Sequence, residues 1–356
     1  MSPERAFEIL KKKLRERELD LLLVTKRENV RYLTGFTGTF GVVVATPVEV
    51  LFVTDPRYTL QASRQCSGWK VEELRGMRLS QWILERYPDV RRIGVEEWLQ
   101  VGSLERMKEV LKGVQFVVVF GAVEGARAKK EPEEVERIEK ALSIAEESFL
   151  EVLGILKPGI SEKEIALELE FLMRRKGAEG VSFDIIVASG KRSALPHGVA
   201  SDKLVEKGDI VVLDFGCLFD GYCSDVTRVV KVGRVTGEER RVWTIVYDAH
   251  MKAVEAIERG ERDCRDIHMV AEGLIEEAGF GGYFGHGLGH GVGLEIHEKP
   301  SLSALSEDTL EEGNVFTIEP GIYIPDGFGI RLENMYHLDK SGIRCLNRTQ
   351  LEIVEV

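Results

Sequence analysis

Four acidic residues stand in stretches where a strand-forming chain ordinarily tolerates none. In VVLDFGCLFDGYCSDVTRVV, residues 211–230, Asp214 and Asp225 interrupt runs of β-branched and aromatic side chains. Glu319 does the same in VFTIEPGIYI, and Glu333 in GIRLENMYHL. Such runs have the make-up of strands packed into a core. A carboxylate buried there without a partner is costly, so buried acids are paired or bind metal. Any fold of this chain has to bring positive charge to them.

Local spacing says more. Asp220-Gly221 is a strong hairpin-turn signal. With those residues as the turn, Phe219 faces Tyr222, Gly216 faces Asp225, and Asp214 lies diagonal to Asp225 on the same strand face. Arg331 and Glu333 share a face by strand alternation. A blander reading stays open for the hairpin: one aspartate points to solvent or pairs with Arg228. Arg331 alone cannot neutralise four acids, whereas a pair of divalent cations balances them, and carboxylates are able to bridge such a pair.

The segment FGHGLGHGVG, residues 284–293, holds His286 and His290, two of the seven histidines. It contains neither GxGxxG nor a GK[ST] ending, so dinucleotide and P-loop readings fail. His297-Glu298 begins like HExxH but lacks the second histidine, and the chain has no GxSxG elbow for a serine nucleophile. Taken alone the two histidines read as ordinary loop residues. Beside the acids they become candidates for the imidazole of an oxygen-rich site, which suits Mn²⁺, Co²⁺ or Fe²⁺ better than structural zinc.

The 356 residues suffice for one large or two ordinary domains. In the first third, Ala6–Arg17 reads as an amphipathic helix, and LDLLLV, GVVVAT, EVLFVT, RRIGVE and VQFVVVF read as buried strands. That is an α/β domain over residues 1–125, with no motif assignable to chemistry. Residues 126–356 open with a long helix and a second one, SEKEIALELEFLMRRKG, with Ser161 and Glu164 as a capping box. Strands and two more helices follow, near Glu238–Glu258 and Arg265–Ala278, giving an α+β domain. The net charge of −12 argues against a general nucleic-acid or anionic-membrane binder. A charged N-terminus, short apolar runs and five cysteines without CxxC spacing fit a cytoplasmic protein with reduced thiols.

In order, SALPHG, VVLDFG…GYCSDVTR, GHGLGHGVGLEIHE, TIEPGIY and GIRLEN resemble the catalytic domain of the M24 "pita-bread" metallopeptidases, a curved antiparallel sheet with flanking helices. Within that family the likeness is to the Xaa-Pro peptidases, aminopeptidase P and prolidase. ENVRYLTGFTG and LFVTDPRYTLQA resemble the creatinase/prolidase N-terminal domain, so nearly the whole chain is covered. The resemblance implies five metal ligands for a pair of divalent ions, Mn²⁺ or Co²⁺ first, with Zn²⁺ or Fe²⁺ as alternatives. Asp214 would chelate one ion, Asp225 and Glu333 would bridge, and His290 and Glu319 would complete the second.

The implied reaction is hydrolysis of the bond between an N-terminal residue and proline, in a di- or oligopeptide, by a hydroxide bridging the metals. Glu319 would also shuttle protons, His297 would donate to the oxyanion, and His197 would line the cleft. His286 would shape the proline pocket, and Arg331 would orient substrate or hold carboxylates. A homodimer is implied too. The alternatives are a non-proline aminopeptidase, another amide hydrolase on the same scaffold, or a non-catalytic peptide-binding module.

Overall fold

Short apolar runs alternating with amphipathic helices produce a sheet covered by helices in the first part of the chain. The computed structural model describes residues 1–356, and the chain divides into units Met1–Arg127 and Ala128–Val356. In the first unit, six strands lie in the order Val71–Glu73, Val50–Thr54, Val42–Ala45, Leu21–Val24, Arg92–Glu96, Gln115–Val119. Val42–Ala45 runs antiparallel to both of its neighbours, and the other pairs are parallel. Leu21, Leu23, Val44, Leu51 and Ile93 are buried in its core, as continuous apolar strands require. The first helix, Pro3–Glu16, starts at Ser2, whose side chain accepts from the Arg5 amide.

The second unit contains the long helices Pro132–Val152, Glu162–Arg175, Gly237–Glu258 and Cys264–Ile275. Ser161 with Glu164 and Thr236 with Glu239 form capping boxes, and Glu134 takes the Glu131 amide ahead of Pro132–Val152, which satisfies amides that have no partner within the helix. Along Gly237–Glu258, Val242, Val246, Ala249, Ala253 and Ile257 form one buried stripe against strand residues such as Ile210, Val212 and Phe316.

The strands that carry the acids form two sheets. In one, Ile210–Phe215 lies between Ile186–Ser189 and Val226–Lys231, both antiparallel to it. In the other, Val315–Ile318 lies between Gly289–Gly291 and Asn334–Asp339, again antiparallel. The glycine–histidine segment therefore contains a strand, contrary to an all-loop reading. It escapes period-two analysis because glycine shows no apolar alternation. At Gly289 a Cβ would sit 2.0 Å from the Thr317 carbonyl oxygen, so glycine alone permits this backbone approach.

The hairpin follows the register read from its turn. Asp220 and Gly221 both have positive φ, 45° and 74°, and Phe219 pairs with Tyr222. Farther along, Phe215 pairs with Val226 and Asp214 with Thr227, which leaves Asp225 diagonal to Asp214. A Cβ on Gly216 would lie 1.8 Å from the Ser224 carbonyl oxygen, so the two strands close up at this point.

Candidate active site

The nine residues singled out in the sequence all line one cleft of about 400 Å³ in the second unit. Asp214 and Asp225 come from the hairpin, Glu319 and Glu333 follow strands Val315–Ile318 and Gly329–Arg331, and His290 sits within Gly289–Gly291. His197 belongs to the exposed turn after Pro196, with Ile186 and Phe183 on the neighbouring wall.

Three carboxyls are strongly perturbed. Burial pushes Asp225 and Glu333 well above the usual carboxylate range, and each is raised further by neighbouring acids: Asp225 by Asp214 and Glu319, Glu333 by Asp225 and Glu319. Burial raises Glu319 as well, against the pull of His290 and Arg331. Desolvation and like charge both disfavour the ionised forms, so the cluster takes up protons or cations.

Arg331 is the nearest fixed positive charge and is 3% exposed. Its Nη2 donates to Asp214 Oδ2 at 2.5 Å, its Nη1 to Tyr323 Oη at 2.8 Å and to the Pro196 carbonyl at 3.0 Å, and its Nε to Thr227 Oγ1 at 3.1 Å. Burial alone would weaken the guanidinium's hold on its proton, but Tyr323 and Asp214 outweigh that and raise its pKa. Thr227 in turn donates to Glu333 Oε2 at 2.7 Å. One oxygen of each of these two acids is thereby satisfied. The others, Asp214 Oδ1 and Glu333 Oε1, are buried without any hydrogen-bond partner.

His290 completes the group. Its Nδ1 is 3.1 Å from the Gly291 carbonyl, to which only an N–H can bond, so in the neutral ring Nε2 carries the lone pair. Nε2 lies 3.4 Å from Asp225 Oδ2 and 3.3 Å from Glu319 Oε1. Ligand-type atoms of Asp225, His290 and Glu333 lie within 4.8 Å of one another. Orphaned carboxylate oxygens and a tautomer-fixed imidazole nitrogen are what a divalent ion needs from its ligands, so the donor set fits a metal.

Both parts of the chain match protein families. Residues 136–340 match the Metallopeptidase family M24, and residues 7–129 match the Creatinase/Prolidase N-terminal domain. This chain belongs to metallopeptidase family M24. The uncharacterized peptidase YqhT of Bacillus subtilis is 42% identical over 94% of this chain and 96% of its own. The solved structure of an Xaa-Pro dipeptidase from Bacillus anthracis superposes with a TM-score of 0.95 at 38% identity and covers 100% of both chains. That of an X-Pro aminopeptidase from Thermotoga maritima gives 0.88 at 39% identity, over 96% of this chain and 99% of its own.

The remaining residues of this M24 peptidase's cleft surround the acids. The His297 ring packs edge-on against His290 at 4.3 Å between centroids, and burial together with His290 pushes its pKa down to about 4. His286 places Nδ1 2.8 Å from the Gly287 carbonyl and Nε2 2.9 Å from Tyr323 Oη. Burial, with Arg331 nearby, lowers it to about 4 as well, so it is neutral near pH 7. Tyr323 and Thr227 are the participants the sequence reading missed. Tyr323 reads as a packing aromatic and Thr227 as one strand residue among many, although Thr227 is the one directly opposite Asp214 in the hairpin register.

Outside the cleft, Arg228 pairs with neither aspartate of the hairpin. It donates to the Thr227 and Glu333 carbonyls and to Asn334 and Thr349, which leaves both aspartates to the cleft. His250 and His268 are buried on helices and do not line the cleft; His250 bonds Tyr336 and His268 faces Glu272. No helix is long and apolar enough to cross a membrane.

Proposed function

We propose that this metallopeptidase hydrolyses the bond between an N-terminal residue and proline, with Asp214, Asp225, His290, Glu319 and Glu333 holding a pair of divalent ions. One observation carries the reading: five ligand-type side chains meet in one cleft, where two buried carboxylate oxygens lack partners and His290 Nε2 faces the carboxylates of Asp225 and Glu319. The names of the B. anthracis and T. maritima structures supply the proline specificity. Mn²⁺ or Co²⁺ suits four carboxylates and one imidazole better than a thiolate-type zinc site. Such ions act as Lewis acids and lower the pKa of a coordinated water.

The chain's own residues do the rest. Glu319, with one oxygen 3.2 Å from Thr317 Oγ1, takes a proton from the attacking water and passes it to the proline nitrogen as the C–N bond breaks. His297 has no hydrogen bond within the protein and turns a ring N–H to the carbonyl oxygen as negative charge develops there. His286 has both nitrogens occupied, which supports a part in shaping the proline pocket over a part as base. Arg331 uses its fork on Asp214, Tyr323 and Thr227, which supports positioning of ligands over contact with substrate. His197, on the exposed turn, lines the entrance. The working form is a homodimer in the cytoplasm.

The test is a comparison of Ala-Pro with Ala-Pro-Ala under Mn²⁺ and under Co²⁺. Cleavage of the dipeptide alone makes the enzyme a prolidase, and clear tripeptide cleavage makes it an aminopeptidase P. Release of alanine from Ala-Ala-Ala at an equal rate would overturn the proline specificity, and light scattering decides the dimer.

A further inference from the structure

The first unit carries a second cleft, of about 730 Å³, that peptide hydrolysis does not use. Thr25, Asp55, Leu74 and Leu99 line it, each just past the carboxyl end of a strand: Leu21–Val24, Val50–Thr54, Val71–Glu73 and Arg92–Glu96. In open sheets covered by helices, ligands settle outside the carboxyl ends of the strands, where helices begin.

The lining is unusual for so acidic a chain. Arg27, Arg78 and Arg106 are exposed at this cleft, and none has a carboxylate within ion-pair distance. Arg106 reaches only Ser103 Oγ, at 3.2 Å. The single acid in the lining, Asp55, is already held by Arg57 through Nε and Nη2, at 3.1 and 2.7 Å. Positive charge on this wall is thus uncompensated from within the protein.

Two helices start at the same place. Leu79–Arg86 and Val101–Val110 have no acid in the first turn, and their N-caps, Arg78 and Gln100, offer those turns no side-chain acceptor. Gln81 covers only the Arg78 amide, so the amides of Leu79 and Ser80 stay open. A third helix, Arg27–Thr34, differs: Glu96 takes the Thr25 and Lys26 amides at 2.5 and 2.8 Å. Ser80 supplies an independent polar group that opens into the cleft. It lines the cleft, is only 4% exposed, and its hydroxyl has no hydrogen-bond partner. Its accessible oxygen is therefore free to meet a ligand in the cleft.

The geometry points to a binding site for a phosphorylated small molecule of mononucleotide size, held by Arg78, Arg106, the Ser80 hydroxyl and the open amides of helix Leu79–Arg86. Guanidinium forks and free helix amides together match phosphate oxygens. Phe40, Met77 and Met107 give the apolar part of such a ligand a surface to lie on. The volume is that of an ordinary small-molecule pocket.

Calorimetric titration of the full-length protein with AMP, inorganic phosphate and adenosine tests the site. AMP is expected to bind with one-to-one stoichiometry and adenosine to bind far more weakly. In the Arg78→Ala/Arg106→Ala double variant AMP affinity should fall roughly tenfold or more. Ser80→Ala should weaken binding by a smaller factor, and the melting temperature without ligand should stay unchanged in both variants. Absence of AMP and phosphate binding at millimolar concentration would overturn the site. So would AMP binding that survives the double variant, or that is lost instead in His290→Ala, which would place the ligand in the peptidase cleft.

Discussion

His290 places Nε2 3.4 Å from Asp225 Oδ2 while its other nitrogen donates to the Gly291 carbonyl, so in the neutral ring a lone pair faces the carboxylate. Lone pair against anion is repulsive. The contact is stable when a cation or a proton lies between them, and the orphaned oxygens of Asp214 and Glu333 nearby favour the cation.

Asp225→Asn therefore removes a ligand charge while keeping the side chain's shape. Metal retained after desalting should drop, and kcat on Ala-Pro should fall by about 100-fold or more. Elemental analysis and steady-state kinetics on the same preparation check this. Unchanged turnover would contradict a metal-bridging Asp225.

Arg331 and Tyr323 separate positioning from binding. Arg331→Lys keeps a charge but loses the fork that reaches Asp214, Thr227 and Tyr323 together. The expected loss is on the order of tenfold or more in kcat, with KM little changed. Tyr323→Phe cuts the link to His286 while leaving Arg331 on Asp214. Here KM for Ala-Pro should rise more than kcat falls. The opposite pattern in the two variants would reverse the assigned roles.

Gly216→Ala tests the close approach of the hairpin strands. The added Cβ meets the Ser224 carbonyl oxygen at 1.8 Å, so the backbone must open between Asp214 and Asp225. Stability should fall by about 1–3 kcal/mol, as for other overpacked positions, and metal affinity should fall with it. Urea unfolding together with metal titration reads both effects.

His250 makes stability depend on pH. It is fully buried, with Nε2 2.7 Å from Tyr336 Oη, and burial pushes its pKa down to about 3. The unfolded chain takes up this proton below about pH 6.5, whereas the folded chain refuses it until about pH 3. Stability contributed here is complete above pH 6.5 and declines by roughly 1.4 kcal/mol per pH unit below it. Comparing His250→Gln with the parent in urea at pH 7, 6 and 5 isolates this slope. Parallel pH profiles would show that His250 contributes no such dependence.

How much of this was legible beforehand follows from the range of each interaction. The Asp220-Gly221 turn fixes its register locally, so the diagonal placement of Asp214 and Asp225 can be read from the sequence, and so can the Ser161–Glu164 capping box. The meeting of Glu319, Glu333 and His290 with that hairpin depends on how two sheets pack, for which spacing along the chain carries no signal. Only the motif resemblance anticipated it. The bonds from Arg331 to Tyr323 and from Thr227 to Glu333 depend on the same packing. The cleft of the first unit gathers loops that follow four strands, and no stretch of sequence displays it.

Metal stoichiometry bears most directly on the claim that cations let these acids share one cleft. The full-length protein, saturated with Mn²⁺ and desalted, should retain about two ions per chain by elemental analysis. A folded protein that retains none, and still hydrolyses Ala-Pro, would contradict the account.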